Sequence, residues 1–139
     1  MNQEQVNNLL TDLQEKWPIT DVVQFDDFNL ADKLQNLPYQ LMRFNEQYIK
    51  AKARMDELID IKNRVTGKKY DILRFHNDKA LTNKEIEQYY LPMDKDIIRV
   101  NNAIAKQEVI VNYFEVCVKS LDKLQWNIKL YMEDRKYSA

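Results

Sequence analysis

Apolar residues recur along two long stretches of this chain at alternating steps of four and three. From Leu30 the series continues through Leu34, Leu37, Leu41, Phe44, Tyr48, Ala51, Met55, Leu58 and Val65, with Lys62 as its one polar member. From Ile97 it continues through Val100, Ile104, Val111, Phe114, Val118, Leu121, Ile128 and Met132, interrupted only by Gln107 and Gln125. This spacing gathers the apolar side chains into a stripe along one face of an α-helix. One glycine and three prolines in 139 residues leave little turn chemistry from which to build a sheet. The expected fold is therefore all-α, with long heptad-patterned helices in an antiparallel, hairpin-like arrangement.

Local signals suggest where the helices break. Residues 2–16 can form a short amphipathic helix on Val6, Leu9, Leu10 and Leu13, closed by Trp17-Pro18 because a residue before proline avoids helical geometry. Ile19 to Asn29 mixes β-branched, aromatic and acidic residues and reads as an extended connector. The chain then divides into an acidic N-terminal helix and connector, residues 1–36, and a helical core, residues 37–139. Pro38 is expected in the first turn of the main helix and Gly67 as its left-handed stop, which makes that helix roughly 45 Å long. Lys68 to Leu81 fits either a short extended segment or a brief helix. Thr82-Asn83-Lys84-Glu85 is a capping box that should open a short helix reaching Tyr90, and Pro92 and Asp94 punctuate the chain again.

The last helix is apolar beyond its seam. Val109, Ile110, Tyr113, Val116, Leu124, Trp126 and Leu130 lie outside the stripe, so one packing partner cannot cover them all. The excess predicts self-association into a homo-oligomer, with Val111, Phe114, Val118, Leu121, Trp126 and Ile128 as the oligomerisation residues.

Charge is distributed unevenly behind a formal total of −1. Residues 1–36 hold seven acids against Lys16 and Lys33, a net of −5, whereas residues 50–74 hold eight bases against Asp56, Glu57, Asp60 and Asp71, a net of +4. The basic middle implies an anionic partner. With Leu41 at heptad position a, Lys52 falls at e and Arg54 at g, flanking the seam on its two sides, while Lys50 lies further out at c. Flanking charges in coiled coils usually pair between helices, and charge runs on helices are usually solvated. The functional alternative is that copies of Lys50, Lys52 and Arg54 in an oligomer follow a nucleic-acid backbone. Lys68 and Lys69 beside Tyr70 form a second candidate contact.

Catalytic chemistry finds no foothold. His76 is the only histidine, Cys117 the only cysteine, and one glycine excludes a phosphate-cradling loop. Ser120 and Ser138 lack a nucleophile's neighbours, and no acid cluster has metal-ligand spacing. The chain reads as a binding protein rather than an enzyme, with no cofactor and no metal. A lone cysteine among apolar neighbours fits a reducing compartment. Neither a signal-peptide pattern nor a bilayer-length apolar run is present, so a cytoplasmic protein without a membrane partner is expected.

Four short motifs in order carry a resemblance: Lys52-Ala53-Arg54-Met55-Asp56, the Gly67-Lys68 break, Asp94-Lys95-Asp96, and Trp126-Asn127-Ile128-Lys129. Over roughly residues 38–139 the chain resembles the phage recombination mediator proteins of the UvsY type. The resemblance implies a closed homo-oligomeric ring that binds single-stranded DNA and helps load a RecA-like recombinase onto strands covered by single-strand binding protein. It assigns strand binding to Lys52 and Arg54 and oligomerisation to the C-terminal helix. The sequence departs from the family in carrying Leu124-Gln125 ahead of Trp126, with Lys123 as the nearest base. The competing reading is a structural coiled-coil adaptor whose basic run pairs with the acidic N-terminal third of a neighbour.

Overall fold

Asn2 opens the first helix with a complete capping box: its side chain accepts the Gln5 amide at 2.8 Å, and the Gln5 side chain accepts the Asn2 amide at 3.0 Å. In the computed structural model, which describes residues 1–138 and side chains as far as Lys136, the elements are all helical. They are α1 Gln3–Lys16, α2 Ile19–Val23, α3 Leu30–Phe75, α4 Asn83–Glu85, a π-helical turn Ile86–Tyr90, α5 Leu91–Met93 and α6 Lys95–Ser138. Among the described residues there is no strand.

Three boundaries differ from the sequence expectation. The connector after Trp17-Pro18 is helical over α2, because Ile19, Val22 and Val23 have the three-and-four spacing that packs one face onto a core. Only residues 24–29 are irregular, and Asp26 organises them by accepting the amides of Phe28 (2.9 Å) and Asn29 (3.0 Å). Pro38 lies inside α3, whose first residue is Leu30; proline has no amide to donate to the Leu34 carbonyl, but packing of Leu30, Leu37, Leu41 and Phe44 carries the helix through. Gly67 does not stop the helix. It has no positive φ, and α3 continues through Lys68 to Phe75 because Val65, Tyr70 and Leu73 pack on an apolar cluster. A Cβ added at Gly67 would meet nothing within 4 Å. Gly67→Ala should therefore stabilise the protein by about 0.5–1 kcal/mol, read as a higher urea midpoint, since alanine loses less backbone entropy in a helix interior.

The chain forms two compact units that do not follow the boundary at residue 36: one holds residues 53–108, the other residues 2–52 together with residues from 109 onward. In the second, Leu37, Phe44 and Ala51 of α3 meet Tyr113, Phe114, Cys117, Leu121, Leu124 and Ile128 of α6. Leu34 shares a groove with Ile128 and Met132, Leu37 with Leu124, and Leu41 with Val118, so the two helices run antiparallel there. The N-terminal third belongs to this core. Leu10, Leu13, Trp17, Ile19, Val22 and Val23 pack against it, and Trp17 lies edge-on to both Phe44 (5.4 Å) and Phe114 (5.7 Å). The Tyr113 hydroxyl donates to the Trp17 carbonyl at 2.5 Å. Burial pushes that hydroxyl up to about 12 and the Cys117 thiol up to about 11, so both are uncharged at ordinary pH. The thiol is a packing atom, inert as a nucleophile.

The other unit has a smaller core of Leu81, Ile86, Leu91 and Ile97, with Val65, Tyr70 and Leu73 packed on it. Its Thr82 hydroxyl accepts the Glu85 amide at 3.2 Å, completing the capping box read from the sequence. Asp94 then caps α6, its carboxylate accepting the amides of Asp96 (2.9 Å) and Ile97 (3.2 Å).

Candidate nucleic-acid interface

Lys50, Lys52 and Arg54 stand on one continuous helix, α3, and all three are exposed. The seam residues around them explain that exposure: Phe44, Ala51 and Leu58 are buried, so the positions between them turn outward. Lys50 pairs with Glu46 at 3.0 Å and Arg54 with Glu57 at 2.8 Å, both within the helix and both in solvent. Exposed pairs of this kind contribute about 0–1 kcal/mol, so a phosphate can displace either carboxylate at little loss. Lys52 has no ion pair among the described residues; its ammonium sits 5.4 Å from the centre of the Tyr48 ring. Residues two apart on a helix face away from each other. Lys52 and Arg54 thus lie on opposite flanks of α3.

The second candidate contact comes apart. Lys69 is held between Asp94 (3.3 Å) and Asp96 (3.0 Å). Its hydrogen bond to Asp96, reinforced by Asp94, raises the ammonium above its ordinary value. Burial alone would raise the Asp94 carboxyl, but the amides of Ile97 and Asp96 and the Lys69 ammonium outweigh it and hold the group below the usual carboxylate range. Lys69 is therefore a clamp between the end of α3 and the start of α6, with two carboxylates already opposing its charge. Tyr70 is likewise engaged, donating its hydroxyl to Asn83. Lys68 remains exposed. No sequence signal at Lys69 marks this role; the partners lie on the far side of the intervening α4–α5 segment.

The expected oligomerisation residues separate in the same way. Phe114, Leu121 and Ile128 are buried in the chain's own core, and Val111 and Val118 are half-buried against it, so five of these six positions face inward. Trp126 alone stands out, 65% exposed. Sequence reasoning missed a different apolar face: Tyr39, Met42 and Ile49 on α3 are all more than half exposed. They keep a heptad-like spacing of their own on the side away from Leu37, Phe44 and Ala51, a second stripe that the stronger seam masked.

Near the C-terminal end of α6, Asp27 of the irregular loop accepts from Arg135 at 2.7 Å and from the Tyr131 hydroxyl, tying residues 24–29 to that helix. Among the described residues no group of three His, Cys, Asp or Glu side chains could hold a metal ion, and no helix is long and apolar enough to cross a membrane.

The chain's fold is similar to crystal structures of the recombination mediator protein UvsY of bacteriophage T4. Against lattice type IV the TM-score is 0.77 at 18% identity, covering 94% of this chain and 98% of that one. Lattice type I gives 0.76 at 18%, covering 92% and 99%, and lattice type II gives 0.77 at 17%, covering 99% and 98%. The fold is UvsY-like. No protein-family model and no curated protein sequence matches the chain. The UvsY-like architecture extends over almost the whole of both chains, including the N-terminal third where the sequence motifs gave no likeness.

Proposed function

We propose that this chain is a recombination mediator: an oligomeric protein that binds single-stranded DNA without reading its sequence and helps load a RecA-like recombinase onto strands covered by single-strand binding protein. The observation that carries the reading is the end-to-end likeness of fold to a recombination mediator. Three physical features support it. Lys50, Lys52 and Arg54 are exposed cations on one helix, and their only carboxylate partners are weak surface ones. A patch of two or three cations binds a strand poorly at physiological salt, while several copies held rigidly act as a multivalent surface. The Tyr39, Met42 and Ile49 stripe on α3 supplies an apolar face through which copies can meet, as assembly into a ring requires.

In this mechanism a strand drawn along the repeated cations loosens its hold on the single-strand binding protein and becomes available to the recombinase. No nucleotide hydrolysis by the chain is involved. The test is a loading assay on strands pre-covered with single-strand binding protein. Adding this protein should shorten the lag before recombinase filaments form; an unchanged lag across a range of protein concentrations would remove the mediator role.

The adaptor reading pairs the basic run with the acidic N-terminal third of a neighbour, and the bonds of Lys50 to Glu46 and Arg54 to Glu57, made within one helix, give it no support. A protein of that kind would leave a labelled single strand free even at low salt.

A further inference from the structure

We propose that the groove beside Trp126 is a second strand contact, in which single-stranded nucleic acid lays a base on the Trp126 ring and its phosphates against Lys129 and Lys136. The proposal rests on the strand-binding reading above and adds a site that the basic run on α3 does not contain.

Two tryptophans with opposite environments make the case. Trp17 is packed edge-on between Phe44 and Phe114. Trp126 is 65% exposed, an unusual exposure for an indole. The Lys129 ammonium lies 5.2 Å from the centre of its ring. Beside the ring runs a groove of about 650 Å³ lined by Leu34, Ile128 and Met132 and by Lys129 and Lys136. Glu133 is the one acid that lines it. Neither lysine forms an ion pair with another described residue.

A flat aromatic face beside apolar side chains and cations is the combination by which backbone-tracking sites hold stacked bases, tolerant of sequence because every base has a π-face. Charge decides among the possible occupants. Two lysines line the groove against a single acid, Glu133, a balance that suits a polyanion carrying flat apolar groups at every repeat.

The site reports on itself, because Trp126 is the only strongly exposed tryptophan. Adding oligothymidylate to the intact protein at low salt should quench tryptophan emission, and the quench should vanish in Trp126→Phe, which keeps a stacking ring. Trp126→Ala should weaken strand binding about ten-fold, with Trp126→Phe close to the parent protein. Sedimentation and far-ultraviolet circular dichroism of both variants should match the parent, since the side chain supports no core. Saturating strand binding with unchanged emission and an unaffected Trp126→Ala variant would overturn this site while leaving the strand reading intact. An emission change that follows protein concentration without DNA, or an alanine variant that loses its assembly, would assign the face to a second copy. A change produced by an acidic peptide and not by the strand would assign it to a protein partner. A parent protein that binds no strand at all would overturn the functional reading itself.

Discussion

Replacing Lys52 and Arg54 together by alanine should weaken single-strand binding on the order of ten- to a hundred-fold and flatten its dependence on salt. Each cation that neutralises a phosphate releases condensed counterion, and for single strands each such contact contributes about 0.7 to the slope of log affinity against log salt. The two positions are not equivalent. Arg54 must first leave Glu57, at 2.8 Å, whereas Lys52 has only the Tyr48 ring to leave. The single Lys52→Ala change should therefore account for the larger part of the loss. Both side chains are exposed, so thermal unfolding and native mass should be unchanged, and salt titrations of a fluorescent oligonucleotide isolate the electrostatic effect. Lys69→Ala supplies the opposite control. It leaves Asp94 and Asp96 facing each other without their ammonium, so it should lower stability and leave strand affinity almost unchanged. If Lys69→Ala abolished binding at unaltered stability while the double variant bound normally, the site would lie at the other end of α3.

Phe44→Ala should destabilise the protein by about 3–5 kcal/mol, the range for removing a fully buried aromatic side chain. Phe44 is 1% exposed and lies in the middle of the α3 face that meets α6. It also holds Trp17 edge-on at 5.4 Å, so its loss removes the ring against which the N-terminal helices turn. Against a total stability of about 5–15 kcal/mol such a loss is a large fraction, and the urea midpoint should fall accordingly. Tyr39→Ala, on the exposed side of the same helix, should change monomer stability by no more than about 0.5 kcal/mol. A Phe44→Ala protein as stable as the Tyr39→Ala protein would mean that α1 and α2 do not share this core.

What was legible in the sequence is what period encodes. The two seams located α3 and α6, and the Thr82–Glu85 box and the Asp94 cap were readable because capping depends on residues three apart. The misses occurred where tertiary packing overrules a local preference. Gly67 favours a stop and Pro38 a start, yet Val65, Tyr70 and Leu73 on one side and Leu30 to Phe44 on the other bury enough surface to carry one helix through both. The N-terminal third looked separable because its acids dominate its composition. Yet Leu10, Leu13, Trp17, Ile19, Val22, Val23 and Phe25 pack on the core around Trp17, while Phe28 stays in solvent.

The candidate site was partly legible for the same reason. Lys52 and Arg54 are exposed on α3, which follows from helix geometry alone once Ala51 and Leu58 are buried. Heptad position could not reveal that Lys69 faces Asp94 and Asp96, a pairing made by the return of the chain into α6. Nor could it separate Phe114, Leu121 and Ile128, which the fold uses internally, from Trp126, which it leaves in solvent. A stripe tells which residues share a face, and only the partner helix tells whether that face is still free.

The central claim is that strand binding belongs to an assembly of this chain and not to one copy. The direct test is a salt series of single-strand titrations on the intact protein, with native mass measured for the same samples. The account predicts one strand bound to an assembly of several chains, with a log–log salt slope steeper than the two or three cations of a single chain can supply. A monomer that binds with the shallow slope of one patch, or an assembly that leaves the strand free at low salt, would contradict it.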